Sequence, residues 1–362
     1  MTGDTVGGVW TFAMQLAEGL AAKGIDVCLA TFGRAGSALQ KSQAAAISGL
    51  KWWDSSLKLE WMDEPWSDVE RSGPWLLDLE RQFHPDVIHL NTLCHGALGW
   101  QAPVVTTVHS CVTSWWAAVK GTPLPDNWSC YRREVEHSLK CSTLVTAPSR
   151  AMLASVSENY DVNPAISRVI GNGRRAAQFR AEPKEPFILS AGRFWDEAKN
   201  VQALVEIAPK LPWPVFLAGE QESPDGRTAS LAGCHVLGPL STPELASWYA
   251  RAAIYALPAR YEPFGLSVLE AALSGCALVL GDIPSLREAW QDSAIFVPPN
   301  NIDHLQAALR TLIEDPQQRQ AMSASARKRA QLYSESLTVS KYLEAYDWAL
   351  RHTPRRRHAC AS

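Results

Sequence analysis

Short apolar runs rich in Val, Ile and Leu recur along the chain, and most precede a stretch whose apolar positions repeat at helical spacing. In the first half they read DVCLATF (26–32), DVIHLN (86–91), VVTTVH (104–109) and TLVTAPS (143–149). In the second half they read FILSAGR (187–193), VFLAGE (215–220), HVLGP (235–239), IYALPA (254–259), ALVLGD (277–282) and AIFVP (294–298). Runs apolar on both faces predict parallel strands covered by helices, and two such sets in tandem predict two doubly wound α/β domains. The periodicity breaks over 165–185, where Pro, Gly and charge gather. That break predicts a first domain over 1–170 and a second over 171–336. A closing helix is expected over 337–352, packing back toward the first domain, with 353–362 as a disordered tail.

The opening is irregular for such a domain. A glycine turn, Gly7-Gly8, comes almost at once, followed by the helical pattern VWTFAMQLAEGLAAKG. The strand that should precede the turn is expected to be missing or shortened. Either the chain begins upstream of Met1 or the first sheet lacks that strand.

Composition narrows the function classes. A length of 362 residues fits about two domains. With 46% hydrophobic and 20% charged residues, disorder as the main state is excluded. A net charge of −3 offers no large cationic surface for nucleic acid. No run reaches the roughly 18–20 apolar residues of a membrane-spanning helix, and MTGDTVGGVW does not read as a secretory signal. Eight cysteines form no C-x-x-C pair, which predicts reduced thiols in a cytoplasmic protein and no metal site. Fifteen tryptophans are unusual, and many fall in KWWDSSLKLEWMDEPWSDVERSGPWLLDLERQF (51–83). That stretch carries many acids and few bases, so it predicts an insert packed on its domain over a lipid-facing surface.

In open parallel sheets ligands bind beyond the carboxyl ends of the strands. Two positions there carry chemistry. In EPFGLSVLEAALSGCALVL (262–280), a loop carboxylate, Glu262, precedes a helix opened by Gly265. Backbone N–H groups of Phe264, Gly265 and Leu266 are then free to meet a phosphate. Glu270 follows eight residues after Glu262, so the two carboxylates could grip different parts of one elongated ligand. On spacing alone, an ordinary helix with a solvated glutamate fits equally well. In GRFWDEAKN (192–200), Arg193 follows a strand end and Lys199 opens the next helix. Both cations can converge on a diphosphate, or Arg193 can simply pair with Asp196 or Glu197.

With these residues in view, the chain resembles the retaining, nucleotide-sugar-dependent glycosyltransferases of family 4, also called glycosyl transferase group 1, which have the GT-B fold. The resemblance spans essentially the whole chain and rests on GGVWTFAMQLAEGLAAKG, AGRFWDEAKN and the stretch from HVLGPLSTPEL through Glu262 to SGCALV. It implies two Rossmann-like domains facing across a cleft. It implies that Arg193 and Lys199 hold the donor diphosphate, and that Phe264, Gly265 and Leu266 contact the phosphates or the sugar. Glu270 would bind the ribose, Glu262 the sugar hydroxyls, and Gly8 would let backbone approach the phosphates. Gly238 and Leu240 would line the base pocket. His109 matches the cleft histidine beside the reacting sugar and, with Glu262, is assigned to catalysis. The resemblance further implies transfer with retained anomeric configuration, without metal or other cofactor. The chain departs from the family's Asn-Gly-Val-Asp crossing: Asn172 and Gly173 match, whereas Arg174 and Arg175 do not.

The implied activity is that of a hexosyltransferase (EC 2.4 class). The acceptor is expected to be a soluble or saccharide-type molecule: residues 1–170 hold 13 Lys and Arg against 17 Asp and Glu, a net of −4, which disfavours peripheral membrane association. HSCVTSWWAAVKG (109–121) is the most suggestive acceptor stretch, and at adjacent helical positions at most one of Trp115 and Trp116 should face the cleft. The competing readings are a nucleotide-sugar epimerase or hydrolase on the same fold, and a non-catalytic nucleotide-sugar-binding protein.

Overall fold

The computed structural model describes residues 1–353 except Val6, Pro224, Asp225 and Arg227, so the tail expected over 353–362 lies, beyond Thr353, outside the described residues. Among the described residues thirteen strands form the framework. They are β1 (Thr2–Asp4), β2 (Val27–Phe32), β3 (Leu50–Asp54), β4 (Ile88–Leu90), β5 (Val104–Thr107), β6 (Leu144–Ala147) and β7 (Ser167–Val169) in the first domain. The second domain has β8 (Glu185–Ala191), β9 (Val215–Ala218), β10 (His235–Gly238), β11 (Ala252–Leu257), β12 (Ala277–Gly281) and β13 (Ile295–Val297). All pair in parallel, so each domain is an α/β unit of the doubly wound kind.

The second domain is one six-stranded sheet, ordered β10-β9-β8-β11-β12-β13. Its central strand β11 is buried along its whole length. The first domain's sheet is split into β1-β2-β3 and β4-β5-β6-β7. The halves are joined by polar bonds: the Asn91 N–H donates to Thr2 Oγ1 at 2.8 Å and the Asn91 amide nitrogen to the Thr2 carbonyl at 2.7 Å. The expected shortened first strand is therefore present as three buried residues, held on one side by β2 and on the other by the loop after β4.

The tryptophan-rich stretch differs in part from a simple insert. LKWWD is a strand, β3, paired with β2, because its alternation puts Trp52 and Asp54 on one face of the sheet edge. Trp52 donates to Thr31 Oγ1 at 2.7 Å, and Trp53, Trp61, Trp75 and Trp100 pack around Phe32, Leu59, Leu76 and Leu79. These rings close one end of the domain.

The last helix, Glu335–His352, returns to the first domain. Val339, Tyr342, Ala345 and Ala349 share a buried cluster with Phe12, Leu16, Ala17 and Leu20 of helix Gly8–Ala21. The two helices touch closely at Gly19, where a Cβ would lie 2.3 Å from Val339 Cγ2. Only glycine fits there without movement. This packing fixes the direction of helix Gly8–Ala21, and so aims its amino end at the cleft.

Candidate active site between the domains

The carboxyl ends of both sheets face one another, and side chains bridge the gap at several points. Gly7, at φ 78°, turns the chain into helix Gly8–Ala21. A Cβ on Gly7 would lie 3.3 Å from Arg193 Nη1, and one on Gly8 would lie 3.7 Å from Leu266 Cδ1. The glycine turn of the first domain therefore rests against both Arg193 and Leu266 of the second. Two helix amino termini, at Gly8 and Leu266, meet here with Arg193 beside them. Unpaired N–H groups and helix dipoles make such a place favourable for an anion.

Lys199 and Glu262 form the centre of the second domain's share. Lys199 Nζ donates to Glu262 Oε2 at 2.6 Å, and the two side chains are only 14% and 12% exposed. Glu262 Oε1 also accepts from the Phe264 N–H at 3.4 Å. Gly265, at φ 90°, caps helix Leu266–Leu273 and forces the tight entry of the loop. Lys199 ends a 3₁₀ turn, and Asn200, at φ 54°, separates that turn from helix Val201–Ile207. The single helix expected from Lys199 onward is thus broken at its first residue, because the Asn200 amide is drawn off to the carbonyls of Pro258 and Pro299.

Arg193 is one-third exposed, lies 3.6 Å from Asp196 and rests over the Trp195 ring at 5.2 Å. Asp196 is in turn held from across the cleft, where the Trp115 indole donates to its Oδ1 at 2.9 Å. Lys120 reaches Glu197 at 2.7 Å. So helix Val112–Lys120, marked in the sequence for acceptor binding, spends Trp115 on the Asp196 loop of the second domain, whereas Trp116 turns to Thr122 at 3.1 Å. Gly238 and Leu240 lie at and just beyond the end of β10, with open space beside Gly238.

His109 sits at the end of the first domain's central strands, 4.4 Å from the Phe12 ring. Its Nε2 faces Asn91 Oδ1 at 2.8 Å. Because the Asn91 amide nitrogen is committed to Thr2, its oxygen is the atom presented to His109, so Nε2 carries the proton. Burial lowers the His109 pKa to about 3, so the ring is neutral at physiological pH. His95, another strand-end histidine, is fully engaged by Ser72 at 2.7 Å and Thr92 at 2.8 Å and stacked on Phe32. It is a packing residue.

Glu270 is buried and lies 2.8 Å from Arg174 Nε. The structure thus joins Gly8, Arg193, Leu266 and the Lys199–Glu262 pair at one place, with Phe264 and Gly265 in the loop. It sets Glu270 one helical turn away beside the interdomain crossing.

Several bridging contacts escape sequence reasoning. The Tyr261 hydroxyl accepts from Ser110 Oγ at 3.2 Å and from the Cys111 N–H at 3.4 Å, pinning the residue before Glu262 to the residues after His109. Ser149 donates to the Pro263 carbonyl at 2.8 Å. Glu288 accepts from the N–H groups of Arg150 and Ala151, both at 2.9 Å, capping helix Arg150–Tyr160 from the other domain. Strand-end position was the available signal for Ser149 and for Tyr261, which falls in 258–262 after β11, and nothing local marked Glu288.

Comparisons with known proteins bear on the family and the fold. Residues 6–177 match the family model described as Glycosyltransferase Family 4, and residues 174–329 match that described as Glycosyl transferases group 1. A glycogen synthase of Mycobacterium tuberculosis is 27% identical over 281 residues, covering 70% of this chain and 66% of that protein. The chain thus spans just under two thirds of that relative's length. A D-inositol 3-phosphate glycosyltransferase of Jonesia denitrificans is 25% identical over 408 residues, covering 96% of this chain and 92% of that one. Among solved structures, a sucrose-phosphate synthase of Thermosynechococcus elongatus superposes with a TM-score of 0.80 at 18% identity, covering 97% and 96% of the two chains. Anabaena HepE, solved with UDP and glucose, gives 0.71 at 16% identity, covering 93% and 95%.

Proposed function

The chain belongs to the GT-B glycosyltransferases of the group 1/4 family, and from that premise we propose that it moves a sugar from a nucleotide-diphosphate sugar to a soluble or saccharide acceptor, with retention and without metal. The observation that carries the reading is the Lys199–Glu262 pair at 2.6 Å, set beside the amino end of helix Leu266–Leu273 and the Gly7–Arg193 contact. A diphosphate placed there meets two cations and two helix amino termini, the charges a divalent ion would otherwise supply. Glu262 then faces the sugar side of the same lysine and accepts from sugar hydroxyls. In same-face transfer, the bond from the anomeric carbon to the phosphate oxygen breaks as the acceptor oxygen bonds to that carbon. The acceptor proton passes to the departing phosphate. His109, neutral and oriented by Asn91, borders the reacting sugar without adding charge.

The bound UDP and glucose of Anabaena HepE support a nucleotide-sugar donor here by fold analogy. For the acceptor, the support is the acidic first domain and the packing of its tryptophans inward. None of the helices among the described residues is long and apolar enough to cross a membrane. All seven described cysteines are unpaired thiols, which supports a cytoplasmic setting.

The test is a thermal-shift panel with UDP, GDP, ADP, TDP and CDP, with and without EDTA. One nucleotide is expected to stabilise the protein, by about 2.7 kcal/mol at 100 times its dissociation constant, and EDTA should not alter the shift. A shift that needs metal would refute the metal-free reading, and no responder would refute the donor site. Donor turnover without any acceptor would favour the epimerase or hydrolase. Arg193→Ala should weaken binding of the responding nucleotide by about 1.5–3 kcal/mol, the loss of a hydrogen-bonding charge. Equal affinity in a titration calorimeter would remove Arg193 from the phosphate site.

A further inference from the structure

The crossing between the domains carries an arginine where the family pattern has none. Arg174 is 5% exposed, and its guanidinium reaches three elements at once. Nε lies 2.8 Å from Glu270 Oε1, as a charge contact whose N–H is not aimed at the oxygen. Nη1 donates to Gln15 Oε1 at 3.0 Å, on helix Gly8–Ala21. The guanidinium also rests over the Phe179 ring at 5.1 Å. Gln15 closes the loop by donating to the Gly173 carbonyl at 2.6 Å, and the Arg174 backbone N–H donates to the Tyr333 carbonyl at 3.0 Å.

A carboxylate at Glu270 needs this partner. Burial pushes its pKa above the ordinary glutamate value, and the Arg174 charge is the largest influence opposing that rise. Glu270 keeps about a tenth of its side chain exposed even so. An ionised, fixed carboxylate is a far better acceptor for a pair of hydroxyls than a neutral acid free to rotate.

We infer that Arg174 is a positioning residue for the nucleotide ribose: it holds Glu270 charged and oriented for the ribose hydroxyls, and ties that carboxylate through Gln15 to the first domain. The inference rests on Glu270 being the ribose ligand. Arg174 itself touches no substrate. It acts through Glu270, so ribose recognition and the seating of helix Gly8–Ala21 share one side chain.

The experiment compares affinities for UDP, GDP and ADP with their 2′-deoxy forms by calorimetry, using the full chain. For the nucleotide that binds, the native protein should prefer the ribose form by about tenfold or more, the worth of a hydrogen bond to a charged group. Arg174→Met should bring that ratio near one, mainly by weakening the ribose form, and Glu270→Gln should do the same. A collapsed ratio in Glu270→Gln with a native ratio in Arg174→Met overturns the inference while leaving the ribose assignment intact. A native ratio in Glu270→Gln overturns the ribose assignment and the inference with it. If Arg174→Met does not fold, Arg174→Lys carries the test, since an ammonium cannot reach both Glu270 and Gln15 as the guanidinium does. Its ratio should fall at least twofold, and an unchanged ratio counts against the inference.

Discussion

Glu262→Gln should abolish most sugar transfer while leaving the protein folded, though less stable for the loss of its ion pair with Lys199, and still able to bind nucleotide. The residue lies on a loop, and glutamine keeps its size and one oxygen for the Phe264 N–H. What is lost is the negative charge beside Lys199 and toward the sugar. Groups that act on charge developing in the transition state are worth about 10²–10³ in kcat, so kcat should fall by that order. Nucleotide diphosphate affinity should hold or rise, because Lys199, freed of Glu262, turns wholly to the phosphates. The measurement is steady-state transfer alongside calorimetric nucleotide binding. Turnover within about threefold of native would mean that Glu262 does not serve the reacting sugar. A parallel loss of binding and turnover would make it a ground-state binding group.

This separation of roles was partly legible in the sequence. In the second domain β8, β9, β11 and β12 stand out because they are short apolar runs largely buried between helices, and the glycine after β8 sits beside Arg193. Glu262, Lys199 and Arg193 could be nominated from strand-end position and residue type alone. Their partners could not. Trp115 and Asp196 are far apart in sequence, as are Tyr261 and Ser110, and only the approach of two domains makes them neighbours. β3 was hidden because its tryptophans suggested an insert, and their alternation becomes meaningful only against β2. Arg174 was visible only as a misfit to a pattern. Its meaning depends on Glu270, almost a hundred positions on, being buried and in need of a counter-charge. The charge state of His109 was equally out of reach, since it follows from burial rather than from neighbours in the chain.

Lys199→Met is expected to cost more than activity. Lys199 and Glu262 are both largely shielded from water, and Lys199 is the cation in direct contact with Glu262. Removing one member of a buried ion pair leaves the other charge uncompensated and typically costs about 3–5 kcal/mol. For a domain of this size that corresponds to a fall in Tm on the order of 10 °C. Nucleotide diphosphate binding should weaken as well, since Arg193 alone would face the phosphates. The double substitution Lys199→Met with Glu262→Gln separates the two effects. It removes both charges together, so it should recover most of the lost stability, because burying two neutral groups of similar shape avoids the unpaired carboxylate. It should not recover binding, because the phosphates still lack their cation. Thermal unfolding of the two single variants and the double variant gives the coupling directly. If Lys199→Met alone leaves Tm unchanged, the pair is a surface contact of little weight, and the shielded diphosphate site built around it does not stand. If the double variant restores stability but not nucleotide binding, Lys199 acts on Glu262 for the fold and on the phosphates for function, and the loop bearing Glu262 is held in place by the charge that the donor would share.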